Sequence, residues 1–219
     1  MARRDLVRPL LVLLALMGTA WAQSGRPSRN DPPELRERLA KVLATYHCPV
    51  TAYLSEIHAK PHPEDEQNRY LILSAQRHPE FYVQCAFFNE DTAVHCEAAS
   101  GFYNAKIASF ATPAKRAILA RLGFSTDSSK GNFVAEWEVN DRSTASDIAE
   151  VLIATLVRVF DFAADDKLAF NAPLLGLHKD TLTTLPHSCA AVSGLWEHRV
   201  VAFAWSADEP VFSRSSAHR

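Results

Sequence analysis

The sequence contains little glycine and none of the familiar motifs of hydrolytic or nucleotide-binding sites. Seven of its 219 residues are glycine while 47% are hydrophobic, a balance that excludes a flexible linker protein and favours a compact globular chain. Neither Gly-x-Ser-x-Gly nor Ser-x-x-Lys occurs, and there is no phosphate loop or Gly-x-Gly-x-x-Gly. The sequence therefore gives no support to serine hydrolase or nucleotide-binding functions.

The chain also lacks an excess of basic residues and, beyond its N-terminus, any apolar run long enough to span a bilayer. Its 23 Lys and Arg against 25 Asp and Glu give a formal charge of -2. Without residues 1–22, which hold three Arg and one Asp, the charge becomes 20 minus 24, or -4. We therefore expect neither nucleic acid nor a stable membrane anchor.

The first 22 residues have the pattern of a secretory signal peptide. An n-region with three arginines precedes an apolar h-region at 10–17, and Ala20-Trp21-Ala22 fits a small-x-small cleavage site. We expect cleavage after Ala22 and a periplasmic or secreted protein that starts at Gln23. Arg3-Arg4 loosely resembles a twin-arginine signal, but the leucine-dense h-region favours the general export pathway.

All four cysteines lie in the predicted mature part, and an even count in an exported chain favours two disulfides. Phe81–Ser100 has two strand-like runs around a turn cluster, so it predicts a β-hairpin. A two-residue turn would pair residue i with residue 181 minus i, which joins Cys85 to Cys96 and leaves Cys48 for Cys189. The same two-residue turn would make residues 85 and 96 a hydrogen-bonded cross-strand pair. Such pairs have the larger Cα–Cα distance of the two types, which suits a disulfide less well. Free, buried cysteines are the alternative.

Helical and strand-like periodicities alternate along the rest of the chain. Asp31 is predicted to cap a first helix that ends before Cys48-Pro49, and Val50–Ile57 is predicted as a strand. Further strands are expected at 70–75, 132–139 and 168–172, and further helices after Thr112-Pro113 and after a cap at Ser143 or Thr144. The apolar stripes of these two helices are Ala114, Ala117, Ile118 and Leu122, followed by a C-terminal Gly123, and Ile148, Val151, Leu152, Leu156, Val159 and Phe160.

This order of elements predicts an α+β fold, an antiparallel sheet with helices packed on one side. The predicted organisation is a signal peptide at 1–22, a flexible lead-in at 23–30, a domain at 31–167 and a C-terminal extension at 168–219 with a disordered end. A further strand is expected at 199–205, within that extension.

Three phrases resemble the TY-Chap and YbjN-like proteins, which are relatives of type III secretion chaperones. They are FYVQCAFF at 81–88, LARLGFSTDSSKGNFVAEWEV at 119–139 and ASDIAEVLIATLVRVFDF at 145–162. The resemblance covers about 70–165 well and 31–57 loosely. It implies a secretion-chaperone-like fold that binds a partner polypeptide on a sheet or groove, without catalysis and without a cofactor. The export signal, the cysteines and the tail after about 170 depart from the type III chaperones, which act in the cytoplasm.

The mixed face of the predicted hairpin is the expected peptide-binding site, with Tyr82, Gln84, Phe88, His95 and Glu97. Aromatic residues are enriched where proteins bind proteins, although a helix or the tail covering this face would make them ordinary core. His95 and Glu97 are also conceivable as an acid–base pair, but exposed cross-strand polar residues are the commoner case. The expected partner is a polypeptide, and a homodimer is left open.

The alternative function is a metal-binding protein or an enzyme whose site is built from scattered histidines and acids. His58 and His62 lie near Glu64–Glu66, which are ligand types for zinc or copper. Pro61 and Pro63 exclude the helix that would put the two histidines on one face, so a solvated loop is favoured. The tail contains three more candidate ligands, His178, His187 and His198. Cys189 lies two residues after His187.

Overall fold

The computed structural model describes residues 25–60, 68–88, 92–138 and 142–177. Helix α1 spans Pro33–Ala59, and strands β1, β2 and β3 span Tyr70–Ala75, His78–Phe88 and Ala93–Ala98. Then come α2 at Ala105–Ala108, α3 at Pro113–Arg121, β4 at Phe133–Glu138, α4 at Arg142–Arg158, β5 at Leu168–Asn171 and a 3-10 turn at Pro173–Leu175. The predicted signal peptide, Cys189, the strand at 199–205 and the histidines His62, His178, His187 and His198 lie outside the described residues.

The five strands form one antiparallel sheet in the order β4-β3-β2-β1-β5. Its core face carries the buried Leu71, Leu73, Val83, Phe133 and Phe170, and the helices pack on that side. The predicted fold class, an antiparallel sheet with helices on one side, is therefore confirmed. Because β5 pairs with β1, the first residues of the predicted C-terminal extension are part of the sheet.

The predicted hairpin register is confirmed, and Cys85 and Cys96 form a disulfide between β2 and β3. The prediction that residues 85 and 96 form a hydrogen-bonded cross-strand pair is wrong. The Ala99 amide donates to the Tyr82 carbonyl at 3.0 Å, and since hydrogen-bonded pairs alternate with the closer type, Cys85 and Cys96 form the closer type. Their Cα atoms lie 4.0 Å apart. The turn at 89–91 lies outside the described residues.

No described cysteine is free. The second predicted disulfide, Cys48–Cys189, lies outside the described residues because Cys189 does, and it stays a prediction.

Helix α1 runs through Pro49 to Ala59, so the predicted strand at 50–57 is wrong. A proline inside a helix costs about 3 kcal/mol. The apolar residues after it keep helical spacing, however, and Val50, Leu54 and Ile57 are fully buried. Each such side chain contributes about 1.5–3 kcal/mol on burial, so three of them outweigh the proline.

Two of the three predicted N-caps, Thr112 and Asp31, behave differently from each other. Thr112 accepts a hydrogen bond from the Lys115 amide at 3.3 Å, as predicted, and Gly123 has the predicted positive φ of 92°. Asp31 does not cap α1, whose N-cap is Pro32. Its carboxylate instead accepts from the Ser28 amide and from Arg158 of α4, because the cation and the lead-in lie within its reach.

The predicted apolar stripe of α3 is partly wrong. Ala114 and Ala117 are exposed and Ile118 is half-buried, whereas Leu119 and Leu122 are buried. Helix α3 has little contact with the rest of the fold besides α4, so two leucines near its end suffice to hold it.

Helix α4 begins at Arg142, slightly before the predicted cap, and ends at Arg158. All six residues of its predicted buried face are buried, and so is every residue from Ile148 to Val157. A surface helix would expose one face. Burial of every face shows that α4 is the central helix of the layer, in contact with α1, α3 and the sheet.

The predicted lead-in makes defined contacts with α4. The Arg26 Nε lies 3.1 Å from the Glu150 carboxylate, and Arg158 donates to the Arg26 carbonyl at 2.7 Å. Gly25 packs so closely on the Glu150 backbone that an added Cβ would lie 2.7 Å from it. Segment 25–31 is thereby attached along α4.

His47 of α1 is buried beside this attachment. Its Nε2 lies 3.1 Å from the Ser146 carbonyl oxygen and 4.0 Å from the Glu150 carboxylate. Burial lowers the pKa of His47 below its ordinary 6.5, and the Ser146 carbonyl and Glu150 oppose that shift only in part. The neutral imidazole is therefore the form that the fold favours.

We expect acid to weaken the fold through His47. Because its folded pKa is the lower one, the unfolded chain binds more protons below about pH 6.5, so this contribution is present above that pH and is lost as the pH falls. Denaturant titrations at about pH 7.5 and about pH 5.5 should show a larger loss of unfolding free energy for wild type than for His47→Gln. Equal losses in the two proteins would contradict this role.

Candidate functional site

The sheet face opposite α1 and α4, here called the open face, brings together all five predicted binding residues. Alternation along the strands puts Tyr82, Gln84 and Phe88 of β2 on it with His95 and Glu97 of β3. All five are half-buried. Helix α1 lies on the other side of the sheet, and the tail after residue 177 is outside the described residues, so their role in binding stays a prediction. The remaining residues of the face are Tyr70, Ile72, Ser74, Ala86, Ala93, Val134, Glu136, Glu138, Ala169 and Asn171.

Hydrogen bonds connect the polar members of this set. The Gln84 amide donates to Glu97 Oε2 at 2.9 Å, and Glu97 Oε1 lies 3.3 Å from His95 Nε2. The Phe88 ring packs edge-on against the imidazole, with 6.1 Å between ring centroids. These residues therefore form one continuous surface across β2 and β3.

Asn132, which the sequence predicted only as a turn and strand-start residue, connects this surface to the next loop. Its Nδ2 donates to the Tyr82 hydroxyl at 2.9 Å and to Glu97 Oε2 at 2.8 Å. Its Oδ1 accepts from the Ser100 amide at 3.1 Å. In the sheet register Ala99 lies between Tyr82 and position 132, so the tyrosine reaches across a small residue that is 1% exposed.

Glu136 of β4 extends the surface to the edge of the sheet. Its carboxylate lies 3.2 Å from His95 Nδ1, so each ring nitrogen of His95 faces a carboxylate. The open face thus carries Glu97, Glu136 and Glu138 but no Lys or Arg among its strand residues. Its charge is negative, which favours partners with hydrogen-bond donors or cations.

An exposed aromatic pair adjoins the Asn132 end of the face. Phe102 is 52% exposed and Tyr103 is 70% exposed. Their rings pack edge to face, with 4.8 Å between the ring centroids. The Phe102 amide donates to the Ser100 hydroxyl, which in turn donates to the Gly131 carbonyl. Sequence reasoning missed this pair because it precedes a segment without clear periodicity.

The described residues do not support the metal alternative. No group of three or more His, Cys, Asp or Glu in the described ranges is placed to hold a metal ion. The His58 ring instead packs near Phe87, with 5.7 Å between centroids. In the same ranges no helix has the length and apolar character needed to cross a membrane.

Comparison with known families identifies the family of this chain. Residues 30–173 match the model of the TY-Chap3 family, described as T3SS (YopN, CesT) and YbjN peptide-binding chaperone 3. No curated protein and no solved structure is similar enough to count as a match. Because the match covers about two thirds of the 219 residues, the chain belongs to this family, as the resemblance of its strand and helix phrases implied.

We expect Asn132→Ala to destabilise the fold by about 1–3 kcal/mol, because it leaves the buried Ser100 amide without its acceptor. Asn171→Ala is the matched control, since Asn171 is on the same face and its side chain makes no hydrogen bond with a described residue. It should change the unfolding free energy by less than about 0.5 kcal/mol. Equal effects in denaturant titrations would show that Asn132 does not organise the network.

Proposed function

We propose that this member of the TY-Chap3 family is an exported, non-enzymatic protein that holds a polypeptide segment against its open face. The observation that carries the proposal is the composition of that face. Two half-buried aromatic rings, Tyr82 and Phe88, lie beside the connected polar groups of Gln84, His95 and Glu97. Helices α1 and α4 cover the other side of the sheet, and no described helix covers the open face, so a partner is placed there in this proposal.

The chemistry of the face suits a polypeptide. Aromatic rings supply apolar contact area at a small cost in side-chain entropy, and they are enriched at protein interfaces. The Glu97 carboxylate and the Tyr82 hydroxyl are held by Asn132, and the Gln84 amide is held by Glu97, so these groups can form hydrogen bonds with a partner without first being ordered. Because the network is already formed, binding would lose little conformational freedom.

Export is supported by the signal-like N-terminus and by the disulfide Cys85–Cys96, since structural disulfides persist in oxidising compartments. We expect mass spectrometry of protein recovered from the periplasm or medium to find a chain that starts at Gln23 and contains a Cys48–Cys189 peptide pair. A chain that keeps its first 22 residues and stays in the cytoplasm would contradict the export proposal.

The binding proposal predicts that the Tyr82→Ala/Phe88→Ala variant loses affinity for polypeptides. Peptides enriched from a displayed library on the wild-type chain provide the probe, and fluorescence anisotropy measures each dissociation constant. Loss of two aromatic contacts at the centre of an interface should weaken binding at least about tenfold.

The matched control is Glu37→Ala/Lys41→Ala, which removes an exposed ion pair of 2.8 Å on α1. It should bind like wild type. A library that yields no binding peptide, or peptides bound equally by both double variants, would contradict the proposed function.

A further inference from the structure

The edge of β4 has backbone groups that are ready to pair with another strand. The Ser125 amide donates to the Val134 carbonyl at 2.7 Å, so the backbone of Val134 points away from β3. Backbone groups alternate in direction along a strand, and Glu136 and Glu138 therefore point the same way. Within the described ranges, no group hydrogen-bonds to the backbone of either residue on this side.

A mostly apolar groove of about 330 Å³ runs beside this edge, on the helix side of the sheet. Trp137, Ile148 and Val151 form its apolar part, and Thr144 and Asp147 of α4 line it as well. Trp137 is fixed there by edge-on packing against Phe124, with 5.8 Å between ring centroids. The indole is only partly buried, so its exposed part offers apolar area to a ligand.

The two sides of the edge differ in chemistry. On the open face Glu136 and Glu138 present exposed carboxylates, while on the helix side Trp137 faces the groove. The groove lining also includes Glu136 and Glu138, Asp147 adds one carboxylate on the helix side, and no Lys or Arg is among the described residues that line it. A strand added here would meet acid on the open-face side and a mainly apolar surface with one carboxylate on the helix side, because its side chains alternate between the faces.

We propose that this edge binds an extended polypeptide segment in which apolar side chains alternate with Lys or Arg. The apolar side chains enter the groove beside Trp137, and the basic ones pair across the strands with Glu136 and Glu138. This inference rests on the proposed polypeptide binding and names the chemistry of the partner. A second copy of this chain fits the edge poorly, because pairing two β4 strands would bring like carboxylates together.

The test uses three labelled peptides of equal length with the full chain: alternating Val and Lys, alternating Val and Glu, and a Val block followed by a Lys block. We expect the first to bind more tightly than the other two, with an affinity that falls as salt is added. Amide exchange should slow at Glu136 and Glu138 on binding, because these amides gain a partner. The amide of Trp137 should change little, since in the sheet register it points toward β3.

The Glu136→Gln/Glu138→Gln variant should weaken binding of the Val–Lys peptide by about fivefold to thirtyfold, as expected for two partly exposed ion pairs. Glu56→Gln/Asp165→Asn makes the same change in net charge at exposed positions away from the groove. It should leave the affinity unchanged. This control separates a local pairing from a general effect of charge.

Three results would overturn the inference. They are equal binding of the Val–Lys and Val–Glu peptides, equal effects of the two charge variants, and unprotected amides at Glu136 and Glu138. The proposed function would survive any of these if library peptides still depended on Tyr82 and Phe88. If library peptides bound equally well without Tyr82 and Phe88, the proposed function would be contradicted. The edge inference would then still be supported if the amides of Glu136 and Glu138 were protected on binding.

Discussion

The burial of α4 on every side is the constraint on which the rest of the structure depends. Ile148–Val157 is buried without interruption, so α4 needs cover from the sheet, α1, α3 and the lead-in together. The lead-in supplies part of that cover through Arg26 and Glu150, whose carboxylate is buried and paired. Because these elements gather around α4, they lie on one side of the sheet, and none of the described helices covers the open face.

The open face is ordered by its own hydrogen bonds and owes little to contacts with helices. Asn132 holds the Tyr82 hydroxyl, the Glu97 carboxylate and the Ser100 amide at once. A single amide thus joins β2, β3 and the loop before α2, and the aromatic pair at 102–103 is attached to the same loop. The consequence is a negatively charged surface that continues from β2 to the β4 edge, where Glu136 contacts His95.

The sequence could predict the parts of this fold that depend on period-two alternation. The hairpin register followed from an assumed two-residue turn that pairs residue i with residue 181 minus i, and its apolar face agreed with it; this register put Gln84 beside Glu97 as observed. Pro49 misled the prediction because a proline usually ends a helix, while the buried Val50, Leu54 and Ile57 carry α1 past it. Asn132 and Glu136 were not predicted as partners of the site, because no local pattern reveals that β4 pairs with β3.

The most direct test of the central claim is a map of backbone chemical-shift changes when a library-selected peptide is added to the isotopically labelled full chain. The account predicts changes concentrated on the open face, at Tyr82, Gln84, Phe88, His95 and Glu97, with smaller changes along the β4 edge. Changes confined to the exposed sides of α1 and α3, with the open face unaffected, would contradict it.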